Sequence, residues 1–214
     1  MIIKSVFADG YKNLSDVDIR PHERMNIFCG DNAQGKTNLI EAVWLMTGCR
    51  SFRGTRDRDF IGFEKEKAAI RLSFRDSFRS QDISFEVRKN NIREKNIALN
   101  GVKVPLLSRL FGSLKCVVFT PEDLFIAKGS PDNRRSFVDL SSSQLKKSFV
   151  YALNKYENLL SQRNALIKKI NFTGSGSADD LDIWDVQLAK TGAYISVIPV
   201  SYTHLRAHET RRHL

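Results

Sequence analysis

Residues 25–37 read MNIFCGDNAQGKT, and within them Gly30-Asp31-Asn32-Ala33-Gln34-Gly35-Lys36-Thr37 meets every fixed position of the pattern G-x-x-x-x-G-K-[ST]. The apolar run MNIFCG stops at a glycine and reads as a short strand. Beyond Thr37, the residues Leu39, Ile40, Val43, Trp44 and Met46 recur at helical spacing, with Gly48 placed to end the helix. A phosphate needs several donors converging with no side chains in the way, which glycines at both ends of a loop permit. A helix opening at Thr37 adds unpaired amides and a partial positive charge. Lys36 can then reach the outer phosphates of a nucleotide, and the Thr37 hydroxyl can join the shell of a Mg²⁺ ion. The competing reading, a chance glycine loop with a surface lysine, does not account for the strand before it and the helix after it.

Upstream, residues 2–8 alternate and are rich in Ile, Val and Phe; the polar Asp9-Gly10 turn separates them from a second short run, so the chain opens on an antiparallel pair. Downstream, Ala68 to Phe78 and Ile83 to Lys89 alternate apolar with polar residues. The segment Ile97 to Val104 contains Asn100-Gly101, a strong two-residue hairpin signal. These runs predict an antiparallel sheet, and Lys115 to Phe119 predicts one more apolar strand before the break at Pro121. A helix is expected from about Gln144 to Ile170, its apolar positions Leu145, Phe149, Ala152, Tyr156, Leu159, Leu166 and Ile170 close to a heptad seam that Arg163 interrupts. The linker NFTGSGSADD at 171–180 separates it from a second amphipathic helix with Leu181 and Trp184 on one face, so a two-helix hairpin is expected.

The chain has 214 residues, 42% of them hydrophobic, which excludes a disordered protein and allows one large domain or two small ones. No run approaches the roughly 18 apolar residues of a membrane span, and the start MIIKSVFADG lacks the blocks of a signal peptide, so a soluble, cytoplasmic protein is expected. Cys29, Cys49 and Cys116 form no CxxC pair, which argues against a disulfide framework and a zinc ribbon. With 34 Lys and Arg against 24 Asp and Glu, the net charge of +10 favours a polyanionic partner. Residues 200–214, VSYTHLRAHETRRHL, differ in character and hold His204, His208 and His213; they look like a translated sequencing adapter, and 197–214 is expected to be a non-native tail. The alternative is a His-rich metal tail, but no cysteine or carboxylate cluster accompanies it.

Hydrolysis requires an acid that helps hold the metal and a group that orients water. After the glycine loop no apolar run ends in an acid. Cys116-Val117-Val118-Phe119 continues into Thr120-Pro121-Glu122-Asp123, which makes Glu122 and Asp123 candidate carboxylates; they read equally well as the first turn of a proline-started helix. For DNA phosphates the candidates are Arg53, Arg56 and Arg58, then Arg134 and Arg135. Asp57 and Asp59 interleave with Arg56 and Arg58, which fits a solvated face of cancelling charges, and Lys168 and Lys169 fit a helix end. Phe52 and Phe60 flank the first arginine group without making a recognisable stacking platform.

Taken in order, GDNAQGKTNLIEAVWLMTGCRSFRGTRDRDFI, VVFTPEDLFIAKGSPDNRRSFVDL and YENLLSQRNALIKKI followed by LDIWDVQLAKTGAYI resemble the RecF family of bacterial DNA replication and repair proteins, over about residues 1–196. The resemblance implies an α/β P-loop NTPase of the ABC/SMC-head type. Its β-rich ATP-binding lobe would span 1–120 and the start of a helical lobe 121–196, with the C-terminal half missing. It implies ATP and Mg²⁺ at residues 30–37, an ATP-dependent homodimer, binding to single-stranded or gapped DNA, cooperation with RecO and RecR in loading RecA, and support of SOS induction. Family members continue into a signature loop and an acidic strand end that this chain does not show. The 214-residue polypeptide is therefore expected to bind nucleotide weakly at most and to hydrolyse little, the intact protein being a slow DNA-dependent ATPase. A half-head would also leave strand edges uncovered. The alternatives are a small-molecule P-loop kinase, which the β-rich insertion before residue 120 disfavours, and a non-hydrolysing DNA-binding module stabilised by nucleotide.

Overall fold

A computed structural model describes residues 1–124, 126, 130–173 and 179–210. Its strands are β1 (Ile2–Asp9), β2 (Val17–Ile19), β3 (Lys67–Arg75), β4 (Ser80–Arg88), β5 (Asn91–Leu99) and β6 (Val102–Val104), and its helices are α1 (Lys36–Leu45), α2 (Pro131–Leu145), α3 (Lys147–Thr173) and α4 (Asp179–Thr210). The backbone divides into two compact units after Pro121.

In the first unit all six strands join one antiparallel sheet in the order β2-β1-β3-β4-β5-β6. Period-two alternation sets the register: Ile70 faces Phe85 and Leu72 faces Ile83 across β3 and β4, while Val6 and Ala8 of β1 oppose Leu72 and Ile70. These side chains are buried with Phe74, Val87 and Ile97, and Leu39, Ala42, Leu45 and Met46 of α1 join the same cluster. Phe60 packs between Tyr11 and Phe85, tilted against the first and edge-on to the second, with ring centroids 5.6 and 6.1 Å away. The hairpin expected at Asn100-Gly101 is present: Leu99 pairs with Val102, and both turn residues have positive φ, 52° and 77°, as a type I′ turn requires. The opening pair also forms, with Val6 opposite Ile19, although its connection runs through Asp16 rather than closing at Gly10.

Two expected strands do not form. Residues 25–30 and 115–120 carry no regular structure, and Met25, Ile27, Val117 and Phe119 are exposed. Both have strand-like composition, but no described strand offers either a ladder of backbone groups to pair with. The polar first half of β5, NIREKN, was not expected as strand; pairing with β4 extends it to Asn91.

The second unit is helical. Arg163 of α3 bonds Asp185 of α4 at 2.5 Å, the Tyr194 hydroxyl meets Ser148 Oγ at 3.0 Å, and a Cβ on Gly192 would touch the Tyr156 ring at 3.4 Å. Later residues of α4 thus meet earlier residues of α3, which makes the pair antiparallel, as a helix hairpin requires. Arg163, the interruption in the apolar seam, forms an ionic tie between these helices. Helix α2 was not expected; its sequence PDNRRSFVDLSSSQL is polar, but Pro131 opens it, and the extended backbone of Lys146 separates it from α3. Residues 174–178 of the linker lie outside the described residues, as do 211–214 and every side chain from 199 onward, including His204, His208 and His213 of the expected tail. No described helix is long and apolar enough to cross a membrane.

Tyr11 is fully buried, and its hydroxyl has no hydrogen-bond partner among the described residues. Burial, and then the Glu41 carboxylate, pushes its phenol well above the ordinary value. Removing an unpaired buried hydroxyl costs no hydrogen bond, so Tyr11→Phe is expected to leave stability unchanged or raise it by up to about 1–2 kcal/mol, read from urea unfolding midpoints. A loss of more than about 1 kcal/mol would mean that the hydroxyl has a partner.

Candidate nucleotide-binding site

The glycine loop leaves Gly30 at φ 144°, passes Ala33 at φ 65° and Gly35 at φ 95°, and enters α1 at Lys36. Gly35 cannot be replaced without strain: a Cβ there would stand 2.8 Å from Leu14 Cδ2 and 2.9 Å from Asn13 Oδ1. Residues 32 and 33 form a hydrogen-bonded turn that uses the Gln34 amide, while the amides of Asp31, Asn32, Ala33, Gly35 and Lys36 donate to no acceptor among the described residues, so unpaired N–H groups lie at the mouth of α1. Residues 30–34 and Thr37 are exposed. Lys36 Nζ donates to the carbonyls of Gly30 and Asp31, both at 2.6 Å, which places its ammonium group across the concave side of the loop. Free amides, a lysine across the loop and the exposed Thr37 side chain fit a nucleotide phosphate chain with Mg²⁺: the amides and Lys36 would hold the phosphates and Thr37 the metal.

A polar network that sequence reasoning missed backs this loop. Asn13 Nδ2 donates to the Ala33 carbonyl at 2.6 Å, Asn38 Nδ2 to Asn13 Oδ1 at 2.7 Å, and Arg53 Nη1 to Asn38 Oδ1 at 2.9 Å. Behind it Glu41 of α1, fully buried, accepts from Lys12 Nζ at 2.5 Å, Thr55 Oγ1 at 3.1 Å and Ser51 Oγ, and Arg53 Nη1 stands 3.8 Å away. The indole of Trp44 donates to the Arg50 carbonyl at 2.9 Å and meets Phe52 edge-on, which fixes the start of the segment that follows. The available signal was a carboxylate in the otherwise apolar run LIEAVWL, four residues after Thr37.

Of the arginines expected to meet DNA, Arg53 belongs to this network and Arg56 does not. Arg56 is exposed at the entry to a 3-10 turn, where Asp57 pairs with Lys95 at 2.6 Å and Arg58 with Asp59 at 3.5 Å, so the alternating charges are locally paired. Arg134 and Arg135 lie in α2 of the second unit, Arg135 bonded to Asp132 at 2.8 Å. Glu122 and Asp123 occupy the 3-10 turn begun by Pro121, and the Glu122 side chain lies outside the described residues. Among the described residues no group of three or more His, Cys, Asp or Glu could hold a metal ion by itself.

A family model described as an AAA domain matches residues 6–189. The chain is similar to the DNA replication and repair protein RecF of Alkaliphilus oremlandii, 37% identical over 197 residues, and to that of Lachnospira eligens, 39% identical over 196 residues. These alignments cover 92% and 91% of this chain but 52% and 53% of the relatives, so the chain spans about half the length of the curated relatives it matches. Among solved structures it is similar to the recombination mediator protein RecF-ATP in the RecFOR pathway, with a TM-score of 0.87 and 36% identity over 95% of this chain and 54% of that one. A second, RecF-ATPrS, gives a TM-score of 0.83 at 34% identity, covering 94% and 54% of the two chains.

Cys29 adjoins Gly30 and is exposed, whereas burial pushes the Cys49 thiol up to about 11 and leaves little thiolate at pH 8. Iodoacetamide at pH 8, followed by peptide mass mapping, is expected to modify Cys29 well before Cys49, and MgATP to slow the reaction at Cys29. Equal rates at the two thiols would contradict the burial, and an unprotected Cys29 would place the nucleotide elsewhere.

Proposed function

The chain belongs to the AAA domain family, its curated homologues are RecF proteins, and on that footing we propose that it forms the ATP-binding part of a recombination mediator acting in DNA replication and repair. The observation that carries this reading is the open amide cradle at residues 30–37, in a backbone that follows a RecF-ATP structure with a TM-score of 0.87. ATP is the proposed ligand, with Lys36 on its outer phosphates and Mg²⁺ at Thr37. The metal needs a further carboxylate. Glu122 and Asp123 remain proposed for that role, alongside acids from the part of the relatives that this chain does not span.

For the whole protein we propose an ATP-dependent homodimer that engages single-stranded or gapped DNA and works with RecO and RecR in loading RecA and supporting SOS induction, in the cytoplasm. Three observations support this: the names of the relatives, the RecFOR setting of the solved structures and the net charge of +10. The DNA contacts proposed are Arg53, Arg56, Arg134 and Arg135.

Titration with a fluorescent ATP analogue tests the cradle. Lys36→Ala is expected to weaken binding at least about tenfold with an unchanged melting temperature, since a charge-assisted phosphate contact is lost from an exposed loop. Equal affinity of the variant and the parent would refute the assignment. In the same titrations a gapped duplex, added across a salt series to a chain extended to the relatives' length, should bind more tightly with ATP and more weakly as salt rises; salt-independent binding would remove the phosphate contacts from the proposal.

A further inference from the structure

Ala33 holds a left-handed φ of 65°, a conformation that costs a residue with a Cβ, at the crest of the phosphate-binding loop. Something must hold it there, and Asn13 does so by donating to the Ala33 carbonyl at 2.6 Å. The Asn13 amide is itself fixed, because its oxygen accepts from Asn38; the Asn38 oxygen in turn accepts from Arg53. Each amide is used at both ends, so neither can turn over without breaking two bonds. The series ends beside Glu41, which is fully buried and anchors residues 51–55 through Ser51 and Thr55. Ser51 Oγ also accepts the amides of Arg53 and Thr55 at 3.1 and 3.2 Å, so the segment is wound tightly around the carboxylate.

We propose that Glu41 is a positioning residue: by fixing residues 51–55 it aims Arg53, and through Asn38 and Asn13 it braces the crest of the glycine loop, so that this segment and the loop order and loosen together. The brace is read from the geometry alone; its effect on ligand affinity rests on the nucleotide-binding reading above. Lys12 serves the same purpose from the β1–β2 connection, with its ammonium group on Glu41 and its neighbour Asn13 on the loop.

Two readouts on the full 214-residue chain test this. In the absence of nucleotide, trypsin cleavage after Arg53 is expected to quicken at least about fivefold in Asn13→Ala, although Asn13 lies 40 residues earlier in the chain and touches only the far end of the relay. Glu41→Gln should do the same, and if that variant unfolds, Asn38→Ala, which leaves the buried carboxylate and its other partners in place, replaces it. Cleavage at the parent rate in folded Asn13→Ala would overturn the brace.

In titrations with the fluorescent ATP analogue, Asn13→Ala and Asn38→Ala should each raise Kd severalfold with an unchanged melting temperature, and the double variant should be no weaker than the weaker single one, since both break a single relay. Additive losses would overturn it. A parent chain that fails to bind the analogue while the proteolysis pattern appears as expected would sink the nucleotide reading and uphold the brace.

Discussion

A carboxylate with no access to water must be matched by donors, because an uncompensated buried charge is among the costliest defects a fold can carry. Glu41 is that carboxylate here, and meeting its demand organises the region around the glycine loop. Lys12 arrives from the connection after β1, Ser51 and Thr55 arrive from the segment after α1, and the helix carrying Glu41 opens at Lys36. Three stretches far apart in sequence thereby converge on one atom group. The Lys12 pair is buried at Glu41 and partly buried at Lys12, with side-chain exposures of 0% and 14%, so it is better shielded from the screening that makes surface pairs such as Arg135 with Asp132 worth little.

The sheet supplies the rigidity against which this cluster works. β1 is an interior strand, with β2 on one side and β3 on the other, and its last residue, Asp9, leads through Gly10 into Tyr11, Lys12 and Asn13. Tyr11 pairs with Leu14 and Ile61, Lys12 donates its amide to the Phe60 carbonyl at 2.8 Å, and a Cβ on Gly10 would stand 2.1 Å from the Lys67 carbonyl oxygen. The residues that brace the loop therefore hang from the end of an interior strand, with little freedom to shift. Gly48 follows α1 and lies against Leu107 and Phe111, where a Cβ on it would come within 2.6 Å of the Leu107 carbonyl oxygen. The helix is thus fixed at its C-terminal end as well.

What the sequence disclosed, and what it hid, divides along physical lines. Local signals were legible: the glycine loop with its helix, the Asn-Gly turn, the alternation of β3 and β4, and the pair of long helices. Features that depend on a partner were not. MNIFCG and KCVVF have the composition of strands, yet a strand exists only where another backbone accepts its hydrogen bonds, and Ile27 and Val117 stand 80% and 87% exposed. The converse error was β5, whose polar first half joins the sheet because β4 is there to receive it. Glu41 was illegible for a related reason: helical periodicity marks which face is buried, but not that a charge on that face will be met by residues 10, 14 and 29 positions away.

The same geometry separates arginines that sequence proximity had grouped. Arg53 and Arg56 are three residues apart and were both candidate phosphate contacts, yet the Arg53 guanidinium already donates to Asn38 and lies 3.8 Å from a buried carboxylate. Moving it to a distant polyanion would break that bond and withdraw positive charge from Glu41. Arg56 carries no such commitment in this network and is exposed beside it, at the entry to the turn where neighbouring charges pair off. Within this segment a phosphate contact made by Arg53 would cost the loop its brace, whereas one made by Arg56 would not. A DNA strand that displaced Arg53 would loosen the crest at Ala33, and a phosphate that tightened the crest would hold Arg53 in place. If Arg53 makes the DNA contact proposed for it, competition for that one guanidinium would couple the contact to the glycine loop.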